Sequence, residues 1–444
     1  MGCVQMKLFG TMRINGKGHL EIGGCDAIDL AGTFGTPLYV MDEDFLRQTC
    51  RDYHKAMIES IPGGEVAFAC KAFCCTSMIR IAMQEDLGID VVSGGELHTA
   101  LAAGADKARI NFHGNNKTPA ELRYALENEI GRIVVDNNTE IHMLEEIAAS
   151  LGRKQKVLLR VQPGIESHTH AYVQTGKVDS KFGLSIATGQ ALEAIRTMTQ
   201  MQHIEVCGLH CHIGSQIHEE EAFIQTARIM ASFLASIRDG IGIQLDELNL
   251  GGGLGVYYQE EDQVLSPESY VNAIYQTLQE EFMGFHFPMP KRLSIEPGRS
   301  IVANAGTTLY TVGSLKTIPG IRTYVAVDGG MTDNPRQALY QAKYEMALAN
   351  KMNEPATVLA SVAGKCCESG DMLIWDAYMA DVETGDILAV ASTGAYNYSM
   401  ASNYNRLPKP PVILVSGGQA HVIVERESYE DLIRYDRIPQ HLRS

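Results

Sequence analysis

Three things are scarce in this 444-residue chain, and each scarcity narrows what it can be. No stretch approaches the ~18 uninterrupted apolar residues that span a bilayer. The opening MGCVQMKLFG also lacks the apolar core of a secretory signal. Gly2 would suit an N-terminal myristoyl group, but Met6 stands where Ser or Thr is wanted, so the expectation is a cytoplasmic protein. Positive charge is short as well: 37 Lys and Arg face 53 Asp and Glu, a formal net charge of −16, which would repel nucleic acid and anionic membranes. Ten cysteines are present, including the adjacent pairs Cys74/Cys75 and Cys366/Cys367. None forms a CxxC, so neither a zinc ribbon nor a disulfide framework is signalled, and reduced thiols are expected.

What is there is an alternation. Residues 1–43 read as short extended pieces (KLFGTMRIN, GHLEIGG, PLYVMDE), and a helical stretch begins near Asp42. From there eight apolar strand-like runs, VAFACK, GIDVVS, RINFHG, RIVVD, KVLLRV, EVCGLHC, ELNLGG and RLSIEPG, alternate with segments of helical period such as PAELRYALENEI. Eight such units predict a (β/α)8 TIM-like barrel over residues 44–305. A dinucleotide-binding sheet is the rival, but the glycine cluster GGGLGV follows the seventh run and lacks a third glycine at the required spacing. After Asn304 the texture becomes strands and turns, which predicts a mainly antiparallel β domain. Residues 1–43 are best satisfied by pairing with 306–444, giving a discontinuous second domain.

In such barrels the working residues stand at the C-terminal strand ends. The first run ends in Lys71, the sixth in His210, Cys211, His212, Ile213, Gly214 and Ser215, the seventh in Gly251, Gly252 and Gly253, and the eighth in Glu296, Pro297, Gly298 and Arg299. Each has an ordinary alternative: a strand-end lysine that snorkels to water, a satisfied core histidine, a tight glycine turn, a surface cation. His210 and His212 face the same way on a strand, so a zinc pair is conceivable, but no third ligand presents itself and no metal is expected. Taken together, a lysine that can form a Schiff base, an aromatic ring to stack, a glycine-rich anion cradle and a carboxylate at one barrel mouth describe a pyridoxal phosphate site.

Ten separated motifs in order carry a family resemblance over nearly the whole chain: FACKAF, DVVSGGEL, FHGNNKT, DSKFG, GLHCHIGSQI, NLGGGLG, EPGRS, DGGMTDNPRQALY, CESGD and GAYNYSMASNYN. The chain resembles the diaminopimelate decarboxylases, in the alanine racemase-like barrel class of pyridoxal phosphate enzymes. Phe73 is a departure, standing where many relatives carry Asn beside the key lysine. The resemblance implies that Lys71 binds the cofactor covalently and His212 stacks on its ring. Ser215, Gly251, Gly252, Gly253, Gly298 and Tyr396 would engage its phosphate, with Arg299 beside them, and Glu296 would meet the ring nitrogen. It implies further that Arg299, Arg336 and Tyr340 hold a distal carboxylate, with Tyr396 nearby, and that Glu368 accepts a distal ammonium. Cys367 would be a candidate proton donor alongside Lys71, and Cys367 and Glu368 would reach the neighbouring subunit's site in a homodimer. The expected reaction is decarboxylation of meso-2,6-diaminopimelate to L-lysine and CO2, the last step of lysine synthesis. The alternative is a related decarboxylase of a D-amino acid or carboxynorspermidine.

Overall fold

A computed structural model describes residues 6–164 and 180–443; Asp179, which opens the DSKFG motif, lies outside the described residues. The chain divides into two compact units. One comprises residues 47–257 and 261–301, and the other runs to Leu46, takes in Tyr258–Glu260 and resumes at Val302.

The first unit is a closed parallel barrel, as the alternation predicts. Its strands are β1 (Gly64–Ala69), β2 (Gly88–Val91), β3 (Ile110–Phe112), β4 (Arg132–Val135), β5 (Gln155–Gln162), β6 (Ile204–His210), β7 (Glu247–Asn249) and β8 (Arg292–Ile295). Each pairs with the next, and β8 returns to β1 through Leu293 opposite Gly64 and Ile295 opposite Val66. Val66, Phe68, Ile89, Val91, Phe112, Ile133, Val157, Leu209 and Leu293 are all buried, the continuous apolar pattern that a strand covered on both sides requires. The connecting helices start on polar caps: Ser93 accepts from the Glu96 N–H, Asn137 from that of Glu140, and Thr118 and Glu121 form a reciprocal capping box ahead of Pro119. These caps fix where each helix leaves the mouth, and so where each strand end points.

The second unit is built on a mixed sheet. Strand Leu38–Asp42 lies between Gly306–Ile318, antiparallel to it, and Val412–Ser416, parallel to it, so both chain ends meet in one sheet. Most other pairings are antiparallel, but Arg322–Val327 runs parallel to Val358–Ala363. Leu20, Ile22, Leu38, Val40, Leu309, Ala389, Ile413 and Val415 form its core. One element departs from the sequence expectation: Ala27–Phe34, within the segment expected to be extended, is a helix. Asp26 caps it by accepting from the Ile28 N–H, and Ala27, Leu30 and Ala31 at i, i+3 and i+4 are buried. Eight residues are too few for that period to stand out among flanking strands.

Candidate active site

The carboxylate comes first, because the barrel arranges the most around it. Glu296 follows β8 directly and is buried. His113 Nε2 lies 2.8 Å from its Oε1, Asn249 Nδ2 donates to Oε1 at 2.7 Å, and His210 Nε2 lies 3.0 Å from Oε2. Burial alone would raise the Glu296 pKa. His113 and His210 outweigh it and hold the carboxyl well below its ordinary value. His210 goes the other way: burial pulls it down to about 3. A neutral His210 must therefore present its single N–H from Nε2 to the carboxylate. Asn249 and His210 each fill one of the roughly four acceptor positions of the carboxylate, while His113 Nε2 stands close to Oε1 without forming a hydrogen bond, so acceptor capacity is left for a further N–H. Asp90, 3.4 Å from His113, is pushed up to about 6, chiefly by burial.

The neighbouring strand ends supply the rest, and β6, β7, β8 and β1 are consecutive around the barrel. Past β1, Lys71 sits in the short turn Cys70–Ala72. Past β6, His212 is held well below its ordinary pKa, first by burial and then by the nearby Lys71 and Arg160 cations. Its Nδ1 accepts the Gly252 N–H at 3.3 Å, so the proton of a neutral ring sits on Nε2. After β7 the chain turns at Gly251 with φ of +68°, where an added Cβ would stand 2.4 Å from the Cys211 carbonyl oxygen. At Gly252 the same atom would meet the Glu296 carbonyl oxygen at 2.2 Å. Asn249 ties this turn to the carboxylate, since its Oδ1 accepts the Gly251 N–H at 2.9 Å while its Nδ2 serves Glu296. Arg299 is buried and donates to Ser215 Oγ from Nε at 3.1 Å and Nη2 at 3.0 Å. A Cβ added at Gly298 would stand 3.0 Å from the Ala69 Cβ and 3.1 Å from that of Ala72, beside the Lys71 turn.

The barrel thus brings together Lys71, His212, Ser215, Gly251, Gly252, Gly253, Glu296, Gly298 and Arg299. It places His210 against Glu296 rather than beside His212 as a metal pair; the histidine that joins His210 there is His113. His113 and Asn249 went unassigned in the sequence, although both fall inside quoted motifs at strand ends. The donor set fits pyridoxal phosphate: an amine, an ionised carboxylate with acceptor capacity left, a ring with a settled tautomer, and a guanidinium and hydroxyl beside a turn too close-packed for any side chain.

The remaining residues named from sequence belong to the second unit. Arg336 and Tyr340 sit one turn apart on the five-residue helix Arg336–Tyr340, Arg336 buried and Tyr340 half-buried. Cys367 and Glu368 are exposed, and the Cys367 N–H donates to Asn405 Oδ1 at 2.7 Å. Tyr396 is half-buried with φ of +65°, a conformation unusual for a tyrosine and of the kind concentrated at functional sites.

Residues 46–303 match the family of pyridoxal-dependent decarboxylases, pyridoxal binding domain. The chain is 52% identical over 431 residues to the diaminopimelate decarboxylase of Bacillus subtilis (strain 168), covering 97% of this chain and 98% of that one. The chain belongs to the diaminopimelate decarboxylase family. A second diaminopimelate decarboxylase, from Staphylococcus aureus (strain COL), is 47% identical over 427 residues, with 96% and 99% coverage. Among solved structures, the diaminopimelate decarboxylase of M. jannaschii in complex with L-lysine superposes with a TM-score of 0.90 at 37% identity, covering 97% of this chain and 99% of that one. The family's cofactor is pyridoxal 5′-phosphate, which agrees with the donor set at the barrel mouth.

Proposed function

We propose that the chain removes CO2 from meso-2,6-diaminopimelate to give L-lysine, and that the residues named above divide the work. The observation that carries the substrate assignment is Arg336. It is buried, and no carboxylate among the described residues lies within ion-pair distance of it. A buried cation without an internal anion is costly to keep unless an external anion completes it.

Pyridoxal phosphate, when bound, supplies an electron-poor ring that accepts the electron pair left when a carbon–carboxylate bond breaks. Glu296 keeps a proton on the ring nitrogen, which its own low pKa favours. His212 would stack on the cofactor's ring. Ser215, the Gly251–Gly253 turn, Gly298, Arg299 and Tyr396 hold the phosphate, and Lys71 provides the amine that binds the cofactor. Lys71 Nζ or Cys367 Sγ returns a proton to the carbon that lost CO2. Arg299, Arg336, Tyr340 and Tyr396 receive the distal carboxylate and Glu368 the distal ammonium. A substrate without that carboxylate leaves the cationic cluster unpaired, a loss of about 3 to 5 kcal/mol or two to three decades in rate.

The reading extends to organisation. Residues 44–305 would form the cofactor-binding domain, with 1–43 and 306–444 as the second domain. The exposed Cys367 and Glu368 would serve a second copy of the chain in a homodimer. The cytoplasm suits the nine described cysteines, all free thiols. No helix among the described residues is long and apolar enough to cross a membrane.

Product analysis tests the reading. Purified protein with pyridoxal phosphate and meso-diaminopimelate should yield lysine and CO2 in equal amounts, and the Lys71→Ala variant should yield neither. Wild-type protein that binds the cofactor but leaves diaminopimelate intact would contradict the substrate assignment while leaving the cofactor site standing.

A further inference from the structure

Arg336 is held in an unusual way. Its guanidinium carbon lies 5.0 Å from the Tyr258 ring centroid and 5.8 Å from that of Tyr344, and the two rings meet edge to face at 5.6 Å and 87°. Both phenol oxygens accept from one nitrogen, Nη1, at 2.9 Å from Tyr258 and 2.8 Å from Tyr344. The Tyr344 hydroxyl in turn donates to Asn397 Oδ1 at 3.4 Å. Burial would lower the Arg336 pKa, but the two tyrosines outweigh it and keep the group charged.

A guanidinium carries five N–H hydrogens, two of them on Nη1. Both Nη1 hydrogens are taken by the phenols, which leaves the edge formed by Nε and Nη2. That edge offers parallel donors matched to the two oxygens of a carboxylate. In the same unit, some buried polar atoms have no partner among the described residues: Nδ2 of Asn397, whose Oδ1 meets Tyr344, and both Nδ2 and Oδ1 of Asn334, two residues before the arginine in sequence. The chain thus uses one side of the guanidinium to hold it still.

We propose that Tyr258 and Tyr344 are positioning residues that fix Arg336 with its Nε–Nη2 edge presented, and so set the selectivity for a ligand that keeps a carboxylate at the end remote from the reacting carbon. The inference rests on the substrate assignment above. Both diaminopimelate and its product L-lysine carry that remote carboxylate, whereas 1,5-diaminopentane has none, so the three ligands separate the carboxylate from the rest of the molecule.

The test uses the holoenzyme with Tyr258→Phe, Tyr344→Phe, the double variant, and Arg336→Ala as reference. The KM for diaminopimelate and the inhibition constant of L-lysine should rise together, about tenfold for each hydroxyl removed, the scale of a hydrogen bond to a charged group. The kcat should stay within about threefold and inhibition by 1,5-diaminopentane should not change, the pattern of lost uniform binding. Tyr344→Leu, which removes the ring as well, should raise both constants further. If Arg336→Ala raises the KM but the phenylalanine variants leave it unchanged, the clamp is refuted and the substrate assignment stands. The clamp is refuted too if those variants weaken the diamine equally, as a general loosening of structure would. If Arg336→Ala itself leaves the KM unchanged, the assignment of Arg336 fails, and the clamp with it.

Discussion

Two buried charges, one in each unit, are treated in opposite ways. Glu296 is completed by its own chain, with His113, His210 and Asn249 on its oxygens. Arg336 has two tyrosine rings and two phenol oxygens but no carboxylate among the described residues. A completed charge is a fixed part of the electrostatics, suited to tuning a bound group; an incomplete one is suited to receiving a charge from a ligand, the part proposed for Arg336. The barrel repeats the first pattern at Lys117, whose ammonium donates to Glu140 at 2.7 Å, to the Val134 carbonyl at 2.8 Å and to that of Gly114 at 2.9 Å.

The largest effect should come from breaking a completed pair. Glu140→Ala leaves Lys117 buried and unmatched, and should cost about 3 to 5 kcal/mol of stability in denaturant unfolding. Replacing both residues by Met and Leu should recover most of it. A double variant no more stable than the single one would mean that Lys117 gains little from Glu140.

The second unit supplies a pH test. Burial lifts Asp333 to about 7 from an ordinary value of 3.8, although Tyr310 and the Gly330 N–H both bond to its carboxylate. Between those values the folded chain holds a proton that the unfolded chain releases. This contribution to stability is therefore full below about pH 4 and lost as pH rises through about 7, by up to about 4 kcal/mol. Unfolding of wild type and Asp333→Asn compared across that range should show wild type losing stability relative to the variant as pH rises; parallel curves would assign the pH dependence elsewhere.

Removing the tuned charge itself should act on turnover. Glu296→Gln keeps the shape but not the charge, and should lower kcat by about two to three decades with a smaller change in KM. Smallest is the bridge between carboxylate and glycine turn. Asn249→Leu should weaken pyridoxal phosphate binding to the apoprotein by about tenfold, as loss of a bond to a charged group would, read by fluorescence titration. Unchanged affinity would show that the turn holds its form without Asn249.

Sequence legibility follows the same division. The eight barrel strands were readable because a strand buried on both sides is a short continuous apolar run, and strand ends in such a barrel point at the mouth. The placement of Lys71, His212 and Glu296 just past the strand ends was legible for that reason, together with the motifs around them. His113 and Asn249 stand at equally good positions, but a polar residue closing a strand has no pattern that says which neighbour it serves. Tyr258 and Tyr344 carried still less signal. They are 86 residues apart in the sequence, sit outside any helix or strand, and meet only because Tyr258–Glu260 joins the second unit. The helix Ala27–Phe34 was hidden by its length alone.

The most direct test of the central claim is steady-state kinetics of Arg336→Ala with meso-diaminopimelate beside wild type. If Arg336 is a cation awaiting the substrate's second carboxylate, the KM rises by about two to three decades while the cofactor remains bound. An unchanged KM would contradict the account, because a buried guanidinium that no substrate carboxylate completes would then have some other purpose.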